Sequence, residues 1–212
     1  MKVTKWSGVN CWVVSDLHLG HQKEFIWGKR GYSSVVDHDR NVIAKINELV
    51  GPDDILFSLG DFCLNTNETG FDNYLSQITC QNIHMLWGNH PNPMYKIYRT
   101  MVAAEYQRDD IEVYPYRYRN AVLLGHHYEC YINGRYVVMN HFPISVWENM
   151  KYGAYMLCGH SHYSFPDTRE NATNGLTLDC GWDGHGKPLS FGEIVQIMKK
   201  KEIRKVDRHV VE

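Results

Sequence analysis

None of the six cysteines (Cys11, Cys63, Cys80, Cys130, Cys158 and Cys180) belongs to a Cys-x-x-Cys pair. Most lie inside apolar runs, where small thiols pack as hydrophobes, so neither a disulfide framework nor a thiolate zinc site is expected. No apolar run approaches the ~20 residues that a membrane span needs. The first run, after Lys2 and Lys5, is short and ends in Ser15-Asp16, unlike a signal peptide. A net charge of -2 gives no excess of positive charge for a bulk polyanion. The one basic cluster, Lys199-Lys200-Lys201 with Arg204, Lys205 and Arg208, reads as a solvated face. There is no internal repeat and no low-complexity linker. Together these absences point to a cytoplasmic protein with no membrane or extended nucleic-acid partner.

What is present is an ordinary globular composition, 212 residues with 43% hydrophobic and 22% charged side chains, enough for one domain with a substantial core. Val9 to Val14 is a near-continuous apolar run, as in a strand buried on both faces. A helical face follows (Val35, Val42, Ile43, Ile46, Leu49, Val50) and closes at Gly51-Pro52. Ile55 to Leu59 and Ile83 to Trp87 read as further strands. Between them the polar loop 65–70 leads to a short helix with Phe71, Tyr74, Leu75 and Ile78 on one face. This alternation predicts right-handed crossovers and a largely parallel sheet. Met94, Ile97, Tyr98 and Met101 are spaced as a helix, and Tyr114 to Tyr118 is an aromatic stretch that reads as packing or a rim. Asn133-Gly134 predicts a hairpin through a type I′ turn. Tyr155 to Cys158 and Leu176 to Leu178 are strands. Ser190 and Glu193 predict a capping box for a final amphipathic helix, and Ile203 to Val206 a further edge strand.

Polar clusters stand directly behind five of the apolar runs: Asp16 and His18, Asp61, Asn89 and His90, His141, and His160 and His162. Taken singly each has an ordinary explanation, since a strand-end Asp is often a helix N-cap and Asn89 suits a turn. Open α/β sheets bind ligands at the carboxyl ends of their strands, where these side chains would converge. The resulting set exceeds what one four-coordinate metal requires. It suits two metal ions about 3.5–4 Å apart sharing a carboxylate, an arrangement used for in-line displacement at phosphorus. Other histidines read differently. His84 falls within a strand as a core or edge residue. His126 and His127 lie beside the hairpin without a nearby carboxylate. His38, His185 and His209 read as loop or surface residues.

Asp16-x-His18, Gly60-Asp61, Gly88-Asn89-His90, His141 and Gly159-His160-Ser161-His162 resemble, in order, the signature of the calcineurin-like metallophosphoesterases. Asp16-Leu-His-Leu-Gly-His21, Arg30-Gly-Tyr-Ser-Ser, Gly51-Pro-Asp-Asp and Asp179-x-Gly-x-Asp183 are similar to the small bacterial and phage phosphoesterases of that superfamily. The resemblance implies an α/β (α+β) fold, a four-layer αββα sandwich of two mixed β-sheets flanked by helices, with the metal site at strand carboxyl ends. The chain reads as a single metallophosphoesterase-like domain over 1–212, with an insertion at about 94–140 whose helix and hairpin, with the aromatics, Arg117 and Arg119, are expected near the substrate rim.

The resemblance further implies that Asp16, His18 and His162 hold one metal, that Asn89, His141 and His160 hold the other, and that Asp61 bridges them. A hydroxide between the metals would attack phosphorus, and His90 would protonate the leaving oxygen. Asp61 and His90 are thus the candidate catalytic residues, and Asn89, His21 and Arg30 candidate substrate-binding residues. Many relatives follow the Asn-His pair with Asp or Glu that orients the His. Pro91 stands there instead, so another group must orient His90. Phe62-Cys63-Leu64-Asn65 replaces the Val-Asp-Arg-Gly-like segment of the protein phosphatases, which weakens that reading.

The expected activity is hydrolysis of a small phosphodiester or nucleotide at two divalent metal ions, manganese, iron, nickel or zinc. Phosphomonoesterase and nuclease are the enzymatic alternatives. A catalytically silent interaction scaffold is the non-enzymatic one, and it would be expected to have lost ligands that are all present here.

Overall fold

The computed structural model describes residues 3–64, 66–90, 93–108, 110, 112–173 and 175–204, with backbone alone at 93 and 94. In chain order the elements are β1 (Thr4–Trp6), β2 (Cys11–Val14), α1 (Glu24–Trp27), α2 (Val35–Leu49), β3 (Ile55–Ser58), α3 (Glu68–Gln77), β4 (Ile83–Met85) and α4 (Pro93–Tyr106). Then come β5 (Tyr116–Tyr118), β6 (Ala121–Leu123), β7 (His127–Ile132), β8 (Arg135–Asn140), β9 (Tyr155–Cys158), β10 (Thr177–Asp179), α5 (Trp182–His185), β11 (Leu189–Ser190) and α6 (Phe191–Met198). Two 3-10 turns, Met150–Tyr152 and Pro166–Thr168, complete the set.

The strands form two mixed sheets. One has the order β11-β2-β3-β4-β6-β5 and the other β1-β7-β8-β9-β10. In the first, β2, β3, β4 and β6 are parallel neighbours. In the second, β8, β9 and β10 are parallel. The expected strand-helix alternation is therefore present in the first half of the chain.

Side-chain alternation explains the layering. Cys11, Val13, Phe57 and Leu59 from one sheet meet Cys130, Val137, Met139, Leu157 and Leu178 from the other in a core between them, with Phe191, Ile194 and Met198 of α6 packed on it. The opposite face of the six-stranded sheet is covered by α2, α3 and α4 through Val42, Ile46, Phe71, Leu75, Tyr98 and Val102. Trp147, Met150 and Ala154 cover Val138, Met156 and Cys158 on the outside of the five-stranded sheet. Two mixed sheets flanked by helical elements are the α+β sandwich expected.

Local chemistry sets several boundaries. Ser34 caps α2 by accepting from the Asp37 amide at 3.1 Å. Ser190 and Glu193 form the expected capping box on α6. Asn133 and Gly134 adopt φ of 47° and 80°, which suits the type I′ turn between β7 and β8.

Elsewhere the structure departs from the sequence reading. Residues 94–140 are not an insertion: β5 and β6 extend one sheet, and β7 and β8 lie within the other. The strands β1, β5, β6 and β11 were not anticipated. Ile203 and Arg204 form no strand, and the rest of that segment lies outside the described residues, as does His209. Lys201 is not on a solvated face. It is buried, its Nζ donates to the carbonyls of Arg169 and Thr177 at 2.6 and 2.8 Å, and burial lowers its pKa to about 8.

Phe57 is wholly buried between the sheets, against Trp6, His84 and Tyr128. Phe57→Ala is expected to cost about 3–5 kcal/mol, read as a lower urea midpoint at unchanged slope. The exposed Val36 of α2 should tolerate Ala within about 0.5 kcal/mol.

Candidate metal centre

The parallel strands of both sheets deliver their carboxyl ends to one edge. Backbone bonds carry the pairing past the strands and across the sheets: Ser15 N–H donates to Cys180 O, Trp182 N–H to Ser15 O, and His18 N–H to Asp61 O, at 3.0, 2.9 and 2.9 Å. The chain then turns sharply. Asp16, His18, Asp61, His160 and His162 all have positive φ, between 47° and 65°. A left-handed backbone at a non-glycine residue costs on the order of 1–3 kcal/mol and marks functional turns. Two glycines allow the close approach of these turns. A Cβ on Gly88 would lie 1.9 Å from Asp61 Oδ1, and one on Gly159 would lie 2.0 Å from Ser15 Oγ.

Two groups of donor atoms result. Asp16, His18 and His162 converge, with the His18 and His162 Nε2 atoms 3.2 Å apart and the rings stacked. Asn89 Oδ1 lies 2.7 Å from His141 Nε2 and 2.8 Å from His160 Nδ1. Asp61 Oδ2 stands between the groups, 3.9 Å from His18 Nε2 and 3.6 Å from His141 Nε2. The structure thus brings together all seven ligand positions picked out in the sequence.

Proton counting shows why these atoms fit cations. His141 Nδ1 donates to Leu59 O at 2.9 Å, and burial lowers the pKa of this imidazole, which favours the neutral ring. Its Nε2 then presents a lone pair, facing the inward-turned carbonyl oxygen of Asn89. His162 Nδ1 donates to Asp183 Oδ2 at 2.8 Å, which raises the pKa of His162 and aims Nε2 at His18. Burial pushes His18 down to about 2, so its ring is neutral. Asp16 Oδ1 and His18 Nδ1 are buried without a hydrogen-bond partner. Burial pushes Asp16 up to about 7, and a cation beside it would restore the carboxylate. The acceptor pair of His141 Nε2 and Asn89 Oδ1, close to an unpartnered buried carboxyl, is a donor set suited to metal.

A polar layer behind the ligands holds the turns. The Arg30 guanidinium donates to the carbonyls of Asp16 and Leu17 at 2.8 and 3.0 Å and pairs with Asp183 at 2.6 Å. Its side chain is 3% exposed, so Arg30 is a structural strut and has no donor left to reach a substrate. His38 is likewise no surface residue: it is buried between Arg30 and Asp39, at 3.0 and 2.8 Å. Asp39 accepts from Gly20 N–H and Tyr74 OH. Buried Asp179 accepts from Ser161 Oγ, Tyr163 N–H and Gly181 N–H, fixing the loop that carries His160 and His162. His185 is half-buried in α5 and donates to Asp179 O. Ser161, Asp179 and Asp183 had no assigned role in the sequence reading. The Asp179-x-Gly-x-Asp183 spacing was the available signal.

His90 faces outward. Its Nε2 is 3.8 Å from Asp61 Oδ2, its backbone N–H donates to Asp61 Oδ1 at 3.2 Å, and its side chain is 43% exposed. Asp61 therefore anchors the His90 main chain, and the carboxylate stands near the ring without a hydrogen bond to it. His21 is buried 5.6 Å from the His18 ring, and its Nδ1 accepts from Lys23 N–H, so the neutral ring carries its proton on Nε2. A groove of about 550 Å³ opens beside His90, between Trp87, Gly88, Asn89, Tyr95, Lys96 and His126. Arg119 turns away to Asp72 and forms no rim. The Tyr114 stretch packs inward, with Tyr114 stacked on Tyr98 and accepting from Trp87 Nε1 at 2.6 Å. His127, expected to lack a carboxylate, pairs with Glu129 at 2.9 Å, because residues two apart share one face of a strand. His84 is a buried core residue between Trp6 and Phe57.

Fold and site together define an α+β sandwich carrying a histidine- and carboxylate-rich centre at its strand ends. No family model matches the sequence. The chain is 25% identical over 207 residues to the Gene 66 protein of Mycobacterium phage D29, covering 91% of this chain and 98% of that one. A crystal structure of a protein of unknown function from Aquifex aeolicus has the same fold, with a TM-score of 0.58 at 16% identity over 90% of this chain and 100% of that one.

The Arg30–Asp183 pair has side chains 3% and 21% exposed, whereas Lys45–Glu48 is open to solvent at 41% and 60%. Asp183→Ala, by stranding a buried cation, is expected to lose about 3 kcal/mol of unfolding free energy. Glu48→Ala should lose about 0.5 kcal/mol or less. Equal losses in a denaturant titration would contradict the strut.

Proposed function

We propose that the protein is a dinuclear metal-dependent phosphohydrolase acting on a small phosphodiester or nucleotide. The reading is carried by Asp61 Oδ2, which lies between two convergent donor groups with the exposed His90 ring 3.8 Å away. Asp16, His18 and His162 would hold one divalent ion, Asn89, His141 and His160 the other, and Asp61 would be shared. Nitrogen and oxygen donors without thiolate suit manganese, iron, nickel or zinc. Such a pair of ions supplies positive charge at the phosphoryl oxygens and acidifies water.

The chain's own part is positional. His90 stands on the solvent side of Asp61, where Nε2–H can reach the leaving oxygen as it departs. His21 Nε2–H and the Asn89 carboxamide are available to phosphoryl oxygens. An open groove on the His90 side leaves room for a second ester substituent, which favours diesters over monoesters. The net charge of -2 counts against a nuclease acting on long polyanions. A scaffold without chemistry would have no need to keep strained turns at five ligand positions. No helix among the described residues is long and apolar enough to cross a membrane. Six free, buried thiols suit a reducing compartment, and we place the protein in the cytoplasm.

Metal-reconstituted protein should hydrolyse bis-p-nitrophenyl phosphate faster than p-nitrophenyl phosphate. Turnover of the monoester alone would overturn the diester preference, and turnover of neither with any of the four metals would overturn the reading. His90→Ala should keep its metal and lose about 10²–10⁴ in rate on alkyl leaving groups, while nitrophenyl esters, which leave without a proton, change far less. Asp61→Ala should lose both metal, by elemental analysis, and activity. A fully loaded, active variant would exclude the shared carboxylate.

A further inference from the structure

Resting on the phosphoesterase reading, the geometry points to the groove beside His90 as a site for the leaving group, built to take a nucleoside monophosphate. Water oxygen adds to phosphorus while the bond from phosphorus to a ribose hydroxyl oxygen of the nucleotide breaks; that oxygen takes its proton from His90, so the nucleotide departs on the His90 side with its own phosphate intact. His90 lines a groove of about 550 Å³, within the ordinary range for a small-ligand site.

Its remaining walls carry two kinds of chemistry. Tyr95 is 41% exposed, while its ring is held edge-on to Trp87 at 5.5 Å and tilted against Tyr98 at 6.3 Å. Trp87 is itself fixed through Nε1 to Tyr114 OH at 2.6 Å. Tyr95 is therefore a pre-positioned flat surface, of the kind on which any base stacks with little loss of side-chain freedom. Lining the same groove, Lys96 and the His126 ring have no ion pair or side-chain hydrogen bond among the described residues. The backbone carbonyl of His126 is tied to Asn140 Nδ2 at 3.0 Å, which holds that residue in place. An unpaired ammonium and an imidazole N–H beside an aromatic face match a planar base joined to a phosphate. A purely apolar leaving group would leave both unmatched, and a simple alkyl phosphate would leave Tyr95 unused.

The test uses metal-loaded protein, with turnover of bis-p-nitrophenyl phosphate as the assay and AMP as the inhibitor. AMP represents the departed group. In the wild type AMP should inhibit more strongly than either adenosine or inorganic phosphate. Tyr95→Ala should weaken AMP inhibition about tenfold, the effect of losing one base-stacking contact. Tyr95→Phe should retain it. Lys96→Ala should reduce AMP to the level of adenosine, and added salt should do the same in the wild type. Inhibition by inorganic phosphate, which binds at the metal side, should be unchanged in all three variants. Wild-type AMP inhibition in Tyr95→Ala and Lys96→Ala, or equal weakening for AMP and inorganic phosphate, would overturn the leaving-group site while sparing the phosphoesterase. Absence of nitrophenyl ester hydrolysis by the wild type would overturn both.

Discussion

The arrangement depends on a backbone conformation that the chain resists. Five of the seven candidate ligands sit in left-handed turns. They are held from behind by Arg30, Asp39, Asp179 and Asp183, whose charged groups are satisfied by turn backbone and by one another. The sandwich supplies a rigid edge, and this polar layer converts the edge into inward-facing imidazoles. A hydrogen-bonded network in a low-dielectric setting is stiff when every member is paired. Among the described residues the pairing fails next to the site at Ser15 Oγ, Asp16 Oδ1 and His18 Nδ1.

Much of this was legible in the sequence because the strands nearest the site are buried on both faces. β2, β3, β4 and β9 read as apolar runs, and the chemistry stands a few residues beyond each. The Asn133-Gly134 hairpin and the Ser190 capping box announced themselves through local backbone rules. The missed strands lack such signals. Thr4-Lys5-Trp6 is a largely exposed edge strand. Tyr116 to Leu123 turns at Arg119-Asn120 without a glycine, Asn120 being held by the carbonyls of Leu75 and Cys80. The residues misread as exposed, His38 and Lys201, have a common cause, and Arg30, expected at the substrate, is drawn inward in the same way. Charge predicts solvent exposure unless a partner is known, and the Arg30 partner Asp183 is contributed by the far end of the chain.

The electrostatics of the centre are set mainly by exclusion of water. Burial, rather than neighbouring charge, is the leading cause of the shifts at Asp16, His18 and His141. The ring that keeps a high proton affinity is His162, which has a carboxylate of its own. The same logic separates the two faces of Asp61: one side sees neutral imidazoles in a dry pocket, and the other sees His90 in contact with solvent. A single carboxylate is thereby placed at the boundary between the buried donor cluster and the solvent-exposed His90 ring.

The backbone bridge between Ser15 and Gly181 has a consequence for the order of assembly. It joins the end of β2 to the segment following β10, so the site closes only after nearly the whole chain has folded. Contacts of such wide sequence separation form late, because their loop-closure entropy must first be offset by other contacts. An N-terminal fragment or a nascent chain still in the ribosome thus has Asp16, His18 and Asp61 without the groups that orient them. The cluster of inward-facing imidazoles and carboxylates is therefore completed only once the far end of the chain is in place.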